Sequence, residues 1–342
     1  MKNRNVSVDL FRFLAALSIM FLHTCWGLDD SLLDAYPIIG IVIGRYPVIL
    51  FFTISGYYCF LQISKGRNAA KTQIRSLLKV YCVWTVVYYL MSFVLNVAAG
   101  HEPVGKFFAE RVLYFFTEGS YPHLWYVVSL IYVMMIICLI YELCGEKGIR
   151  ILAAVSMVLF VIGVLGTSYL PVGEKIPVLG DFYGWKYYFV FRNIFCLGLP
   201  GVMFGYYIVR LLPVIVKRPK LAETGFFITS VLGMIEGMLV IQKGWISDFP
   251  SMFLMPFVLI FGMSCLIRHP LGQLESHAVF LKRMSSYIYF VHPAVIAVLG
   301  FLLQVTGVHL SYWMDYIIVA GLVLCSGIIL MKIKRPWTKL FI

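Results

Sequence analysis

The hydrophobic residues of this chain fall in runs of about twenty, and short polar connections separate them. A helix of that length crosses a bilayer, whereas the strands of a membrane barrel would alternate over about ten residues. The pattern therefore predicts an all-α polytopic membrane protein of about ten transmembrane helices. The predicted helices are 8–27, 38–62, 78–99, 123–143, 151–170, 186–209, 222–242, 250–268, 284–304 and 312–332.

Two segments depart from this simple pattern. Residues 107–118 are too short and too charged to cross a membrane, and they are typical of an amphipathic helix on the outer surface. Pro47 divides the second span, because proline has no N–H to donate to a helical hydrogen bond. A short outer helix before Pro47 would place Arg45 at the outer interface.

The composition supports the membrane class and assigns an orientation. Hydrophobic residues make up 61% of the chain and charged residues only 13%, which is more apolar than a soluble core of this size requires. The net charge is +12. Most of the 28 Lys and Arg residues lie in connections that face the cytoplasm if the N-terminus is cytoplasmic. The positive-inside rule therefore predicts two cytoplasmic termini and explains the charge without a nucleic-acid partner.

The rest of the chain carries few other signals. The eight cysteines are scattered without paired spacing, so they are expected to pack as small apolar side chains, with no metal site. The chain ends shortly after the last predicted span, and we expect a single membrane domain over 1–342 without an appended soluble domain. The expected location is the plasma or inner membrane of a bacterium, with lipid as the surrounding partner.

The first predicted span contains two side chains that could carry chemistry, Arg12 and His23. They are eleven positions apart, which is about three turns plus roughly 20°, so both project from one helix face about 16 Å apart. Such groups are costly in lipid and are expected to face a polar cavity. A neutral imidazole is the usual general base near neutral pH, and a guanidinium binds phosphates. His23 is therefore the candidate catalytic base, and Arg12 is its candidate partner.

Structural roles remain open for both side chains. His23 would also suit a hydrogen bond between two helices. Arg12 would also suit a side chain that reaches the lipid headgroups, with Asp9 as its ionic partner. Their shared helix face favours the functional interpretation.

Five parts of the chain resemble the acyltransferase-3 family of integral-membrane O-acyltransferases. The spacing of Arg12 and His23 resembles that family's Arg-x10-His signature. The other similar segments are 51–57 (Phe-Phe-Thr-Ile-Ser-Gly-Tyr), 123–126 (His-Leu-Trp-Tyr), 192–193 (Arg-Asn) and 286–293 (Ser-Tyr-Ile-Tyr-Phe-Val-His-Pro). Residues 79–84 resemble the corresponding segment in one branch of the family, which contains the membrane domains of vancomycin-resistance serine racemases.

The resemblance implies a ten-helix domain that uses cytoplasmic acetyl-CoA as acyl donor, with His23 as the catalytic histidine and Arg12 as its essential partner. The acceptor is expected to be a hydroxyl of a cell-envelope glycan or of its lipid-linked precursor. Some family members carry an extracellular domain that completes the transfer, so either this domain acylates the acceptor or a separate extracytoplasmic transferase does. Succinyl or another short acyl group fits the motifs equally.

Several further residues are candidates for binding the two substrates. Arg75 and Lys79, at the cytoplasmic end of the third span, are candidates for the phosphates of coenzyme A, although the positive-inside rule alone also explains them. Arg192 lies within the sixth span and requires a polar cavity or a carboxylate partner. Glu236 is a candidate partner for Arg192 or for an imidazole.

Two histidines differ in their predicted surroundings. His292 precedes Pro293, which disturbs helical hydrogen bonding at mid-span, and we expect this imidazole to line the cavity. His123 begins the fourth span at the outer side, where water is expected to hydrate it.

The remaining candidates have open roles. Ser55 and Gly56 are interpreted as a small-residue contact between helices, with a substrate role for Ser55 as the alternative. The charge that develops on a thioester oxygen needs hydrogen-bond donors, and Tyr57, Trp125 or Asn193 could supply them.

Two other functions compete with acyl transfer. Intramembrane charges also line the path of a transporter or flippase for a small polar solute or a lipid-linked sugar. A polytopic subunit of an envelope-polymer export complex would need no chemistry of its own.

Overall fold

A computed structural model describes residues 5–24, 46–66, 69–98, 100, 102–245 and 251–333. Secondary structure within these residues is helical, and they contain no β-strand. The α-helices are α1 (Val6–Thr24), α2 (Tyr46–Ile63), α3 (Ala69–Ser92), α4 (Val104–Phe116), α5 (Trp125–Leu165), α6 (Leu170–Gly173), α7 (Leu179–Tyr183), α8 (Tyr188–Phe191), α9 (Leu199–Lys217), α10 (Pro219–Gln242), α11 (Met255–Arg268), α12 (Ala278–Thr306) and α13 (Tyr312–Lys332). The prediction of an all-α polytopic membrane protein is confirmed.

Each of the ten predicted spans corresponds to a helix in the described part of the chain. Eight helical stretches there are long and apolar enough to cross a membrane. One of them, Pro122–Leu165, contains two predicted spans, because Gly145 interrupts it with a φ of 57°. The eighth predicted span is the shorter helix α11. The second span begins at Tyr46 in the structure, and its predicted first part, 38–45, lies outside the described residues.

Helix α4 occupies the segment that was predicted to be amphipathic, and it begins three residues earlier than the prediction. Its buried side includes Phe107, which is 1% exposed and packs edge-on against Phe93 at 5.6 Å between ring centroids. An exposed side carries Val104, Phe108 and Val112 at the i, i+4 spacing of one helix face. An exposed apolar stripe of this kind suits a helix that lies on a membrane surface.

Two compact units divide the chain. The first unit comprises Met1–Leu32, Ser76–Val128 and Gln273–Ile342, and the second comprises Leu33–Arg75 and Ser129–Gly272.

In the first unit, α1 packs against α12 and α13. The side chain of Asn5 caps α1, because its Oδ1 accepts hydrogen bonds from the backbone N–H groups of Ser7 (3.0 Å) and Val8 (3.4 Å). Farther along α1, the hydroxyl of Ser285 on α12 donates to the carbonyl oxygen of Arg12 at 3.1 Å. The hydrogen bond from Ser285 holds the helix that carries Arg12 and His23 against α12.

In the second unit, α2 crosses α9 at glycines. A Cβ atom at Gly56 would overlap the carbonyl oxygen of Val202, and one at Gly205 would overlap the backbone nitrogen of Tyr57. The two backbones therefore approach more closely than any larger residue allows, which agrees with the small-residue interpretation of Gly56.

Candidate active site

The site begins with two imidazoles that α1 and α12 bring together. Arg12 and His23 both lie within the uninterrupted helix α1, so the shared face expected from their spacing applies to the structure. The ring of His23 lies 5.2 Å from the ring of His292 on α12, measured between centroids. His292 is fully buried and His23 is half-buried. The structure thus pairs two residues that the sequence predicted for the site.

A backbone contact fixes the protonation pattern of the His292 ring. Its Nδ1 lies 2.7 Å from the carbonyl oxygen of Ile288, one helical turn earlier. Because a carbonyl oxygen only accepts, Nδ1 must donate, and Nε2 of the neutral ring then carries the lone pair. Nε2 is buried and has no hydrogen-bond partner among the described residues. His292 therefore has one nitrogen positioned to accept a proton.

A third imidazole, His123, extends this pair. Its ring lies 5.8 Å from the ring of His292, and the residue is only 5% exposed. The rings of Tyr88 and Tyr289 surround it at 5.0 and 5.4 Å. Within the part of the chain that the structure describes, neither of its ring nitrogens has a hydrogen-bond partner.

The prediction that water hydrates His123 is therefore wrong. Aromatic residues that are distant in sequence cover the ring, and the hydroxyl of Tyr289 donates a hydrogen bond to the carbonyl oxygen of His123. Sequence reasoning missed this residue as a site candidate, although the 123–126 segment that resembles the family contained the signal.

No group of three or more His, Cys, Asp or Glu side chains in the described ranges has an arrangement that could hold a metal ion. With two buried nitrogens of His123 and one of His292 available, the arrangement is suited to binding hydroxyl groups and moving protons.

The predicted cationic residues have different surroundings. Arg12 is half-buried on α1. Arg75 and Lys79 lie four residues apart on α3, and both are exposed. Exposed cations are available to an anionic ligand such as a nucleotide phosphate, so the predicted donor role of these two residues stays a prediction.

In the second unit, Arg192 and Asn193 open a π-helical turn, Arg192–Gly198. The guanidinium of Arg192 donates to Oδ1 of Asn193 through Nη2 at 3.1 Å and lies over the ring of Phe189, 4.7 Å from its centroid. Turns of this kind occur frequently at functional sites. The amide oxygen and the aromatic face give the intramembrane cation part of the polar environment that the sequence required.

Glu236 caps a helix instead of pairing with a cation. Its Oε1 accepts from the backbone N–H of Phe253 (2.7 Å) and its Oε2 from that of Leu254 (3.0 Å), at the N-terminus of α11. The Tyr169 hydroxyl also donates to Oε1 at 3.0 Å. Among the described residues Glu236 pairs with neither Arg192 nor an imidazole. A carboxylate at this position satisfies unpaired N–H groups and interacts favourably with the helix dipole.

The contact with Glu236 also changes the pKa of Tyr169, which lies between two spans. Burial and the neighbouring negative charge of Glu236 raise the pKa of Tyr169 to about 12. The phenol therefore remains protonated throughout the physiological range and keeps donating to the carboxylate.

The remaining predicted residues lie in both units. Ser55 is half-buried beside Gly56, and Tyr57 is 5% exposed with its ring 5.1 Å from that of Tyr58. Trp125 is 7% exposed and belongs to the first unit, together with the three histidines. Of the three predicted donors to a thioester oxygen, Trp125 is the one in the unit of His23.

The comparison with protein families decides the identity. The model of the acyltransferase domain of the acyltransferase-3 family matches residues 5–332. The chain belongs to the acyltransferase-3 family. The resemblance seen in the sequence motifs is confirmed, and the protein is a membrane acyltransferase by family.

Curated relatives of this acyltransferase-3 protein include two racemases. A serine/alanine racemase of Enterococcus gallinarum is 26% identical over 348 residues, which is 98% of this chain and 47% of the relative. An amino-acid racemase of Enterococcus faecalis is 24% identical over 352 residues, again 98% of this chain and 47% of the relative. The chain thus spans about half the length of the curated relatives it matches. No solved structure shows a significant match.

Proposed function

We propose that this protein transfers an acetyl group, or another short acyl group, from cytoplasmic acyl-CoA to a hydroxyl of an extracytoplasmic acceptor. The proposed acceptor is a cell-envelope glycan or its lipid-linked precursor. The single observation that supports this best is the contact between the rings of His23 and His292, whose centroids lie 5.2 Å apart. His23 lies on α1, and the same face of α1 carries Arg12. Two imidazoles, with a cation on the same helix face about 16 Å away that could bind phosphate, suit base-assisted transfer from a nucleotide-linked donor.

In the proposed reaction His23 acts as the general base. Its imidazole takes the proton of the acceptor hydroxyl as the hydroxyl oxygen attacks the acyl carbon. A new carbon–oxygen bond forms, the carbon–sulfur bond breaks, and the electron pair leaves with sulfur. A general base of this kind contributes on the order of 10² to 10⁴ in rate.

Arg12 is proposed to hold the donor. Acyl-CoA supplies an acyl group activated as a thioester and a phosphorylated end that a guanidinium can bind. The rise of about 16 Å between Arg12 and His23 is on the order of the length of the extended pantetheine arm, so phosphates at Arg12 leave the thioester near His23. Arg75 and Lys79 are proposed to add charge for the same phosphates.

The thioester oxygen gains negative charge during transfer, and a hydrogen-bond donor must meet it. Trp125 is the proposed donor, because its indole N–H lies in the unit of the three histidines. Tyr57 and Asn193 remain the alternatives, and Ser55 and Arg192 are proposed to contact the acceptor. A separate extracytoplasmic transferase is a proposed partner if this domain does not acylate the final acceptor.

The test uses purified protein in liposomes, labelled acetyl-CoA and an extract of cell-envelope glycans. Release of free coenzyme A together with label in the glycan fraction supports acyl transfer. Because two relatives are named as racemases, the same liposomes are assayed for uptake and racemisation of serine. Serine uptake or racemisation without acyl transfer would overturn the proposal and favour transport or amino-acid chemistry.

A further inference from the structure

The cluster of His23, His292 and His123 contains more imidazole groups than a single general base requires. Among the described residues, three buried ring nitrogens have no hydrogen-bond partner, namely Nε2 of His292 and both nitrogens of His123. The remaining nitrogen of His292, Nδ1, donates to the carbonyl oxygen of Ile288. We propose that His23, His292 and His123 form a proton path that carries the proton of the acceptor hydroxyl away from the reacting carbon and toward the N-terminal end of α5. This inference rests on the proposed acyl transfer.

The spacing of the rings suits a path in short steps. The centroids lie 5.2 Å apart from His23 to His292 and 5.8 Å apart from His292 to His123. The available nitrogens of His292 and His123 do not bond to each other directly, so the path requires a hydroxyl or a water between these two rings. Such a bridge needs at least two polar partners, and Nε2 of His292 and a ring nitrogen of His123 would provide them.

The two inner rings differ in what they can do with a proton. His292 keeps its Nδ1 proton on the carbonyl of Ile288, so its Nε2 both receives the travelling proton and releases it again. The same carbonyl stabilises the imidazolium while the proton stays there. His123 has two nitrogens without a partner among the described residues, so it can take a proton at one nitrogen and release it at the other.

The surroundings of His123 do not trap the proton. A carboxylate against the ring would hold an imidazolium as an ion pair, but the described residues contain no salt bridge to His123 or His292. The aromatic neighbours of His123, besides His292, are Tyr88, Tyr121 and Tyr289. Neutral phenol rings carry no negative charge that would hold the imidazolium as an ion pair.

The protons balance over one turnover. In the proposed path the hydroxyl proton goes to His23, then through His292 to His123, and leaves to solvent on the side of Pro122, the exposed residue that precedes His123. The thiolate takes a proton from solvent on the donor side. Each turnover therefore releases one proton on the His123 side and consumes one on the donor side, with no change of redox state.

The test compares His123→Asn and His123→Ala with the wild type in liposomes. His309→Asn is the matched control, because His309 is an exposed histidine of the same unit. The path predicts that kcat falls by at least about tenfold in both His123 variants, with the KM values of donor and acceptor unchanged within about twofold. Imidazole added to the medium should restore part of the kcat of His123→Ala. An unchanged kcat, a raised KM at constant kcat, or a loss that imidazole does not rescue would overturn the path.

A measurement on the wild type alone tests the path even if the variants fail to fold. The rate is followed in mixtures of light and heavy water, where several protons in motion give a curved dependence on the deuterium fraction. A linear dependence would contradict the path. Absence of wild-type turnover is the outcome that refutes the proposed acyl transfer itself, whereas wild-type turnover with unaffected variants refutes only the path.

Discussion

Gly56 on α2 lies directly against the carbonyl oxygen of Val202 on α9, at a distance that leaves no room for a side chain. The atoms in the way belong to the backbone, so they cannot move aside as a flexible side chain would. The contact therefore fixes the distance between two helices in the centre of the second unit. It also explains why a glycine follows Ser55 within an otherwise apolar helix.

Gly56→Ala is expected to destabilise the protein by about 1–3 kcal/mol, because the added methyl forces the two helices apart. Gly321→Ala on α13 is the matched control, since among the described residues no atom outside the local helix backbone lies within 4 Å of the Cβ it would add. A helical glycine replaced by alanine gains roughly 0.5–1 kcal/mol where space allows. The melting temperatures in detergent should thus move in opposite directions, and a stabilised Gly56→Ala would contradict the packing.

Glu236→Ala is expected to lower stability through the end of α11. The change leaves the N–H groups of Phe253 and Leu254, which are half-buried, without the carboxylate that accepts from them. Leaving such a donor unsatisfied costs about 1–3 kcal/mol, and the melting temperature should fall accordingly.

Tyr169→Phe helps to distinguish two roles of Glu236, capping of α11 and binding of substrate. It removes one donor to the carboxylate but leaves the helix cap in place, so its loss of stability should be smaller than that of Glu236→Ala. Both variants should keep the KM of the wild type for donor and acceptor at temperatures where they are folded. A raised acceptor KM in Glu236→Ala, with normal stability, would show that the carboxylate binds substrate.

The outcome for Glu236 shows what sequence patterns can predict. The apolar runs predicted the long helices of the described residues, because the length of a membrane helix is a property of the local sequence. The partner of Glu236 is a pair of backbone N–H groups on another helix. Every residue except proline carries such a group, so the sequence gives no sign of which ones will be reached.

The histidines also show that the sequence predicts positions within one helix but not contacts between helices. The spacing on α1 was enough to predict that Arg12 and His23 share a face, since one helix determines it. The contact of His23 with His292 depends on the packing of α1 against α12, and the burial of His123 depends on the rings of Tyr88 and Tyr289. Such contacts arise between segments far apart in sequence, where periodicity carries no information. The π-helical turn at Arg192 had no sequence signal either.

Arg12→Gln is expected to weaken binding of the donor. Loss of charge-assisted hydrogen bonds to phosphate should raise the KM of acetyl-CoA by roughly 10- to 100-fold. The matched measurement uses an acetyl thioester that lacks the nucleotide phosphates, for which wild type and variant should have similar kcat/KM. If the variant lost activity equally with both thioesters, Arg12 would act at the reacting group or in folding instead of at the phosphates.

Acyl transfer by His23 is tested by the rate of coenzyme A release in liposomes with glycan acceptor, for the wild type, His23→Ala and His309→Asn. Loss of the general base should lower kcat about 100-fold or more, while the exposed control His309→Asn keeps the wild-type rate. The melting temperatures of all three proteins establish that each is folded. Wild-type release of coenzyme A that persists in a folded His23→Ala would contradict the assignment of His23 as the base.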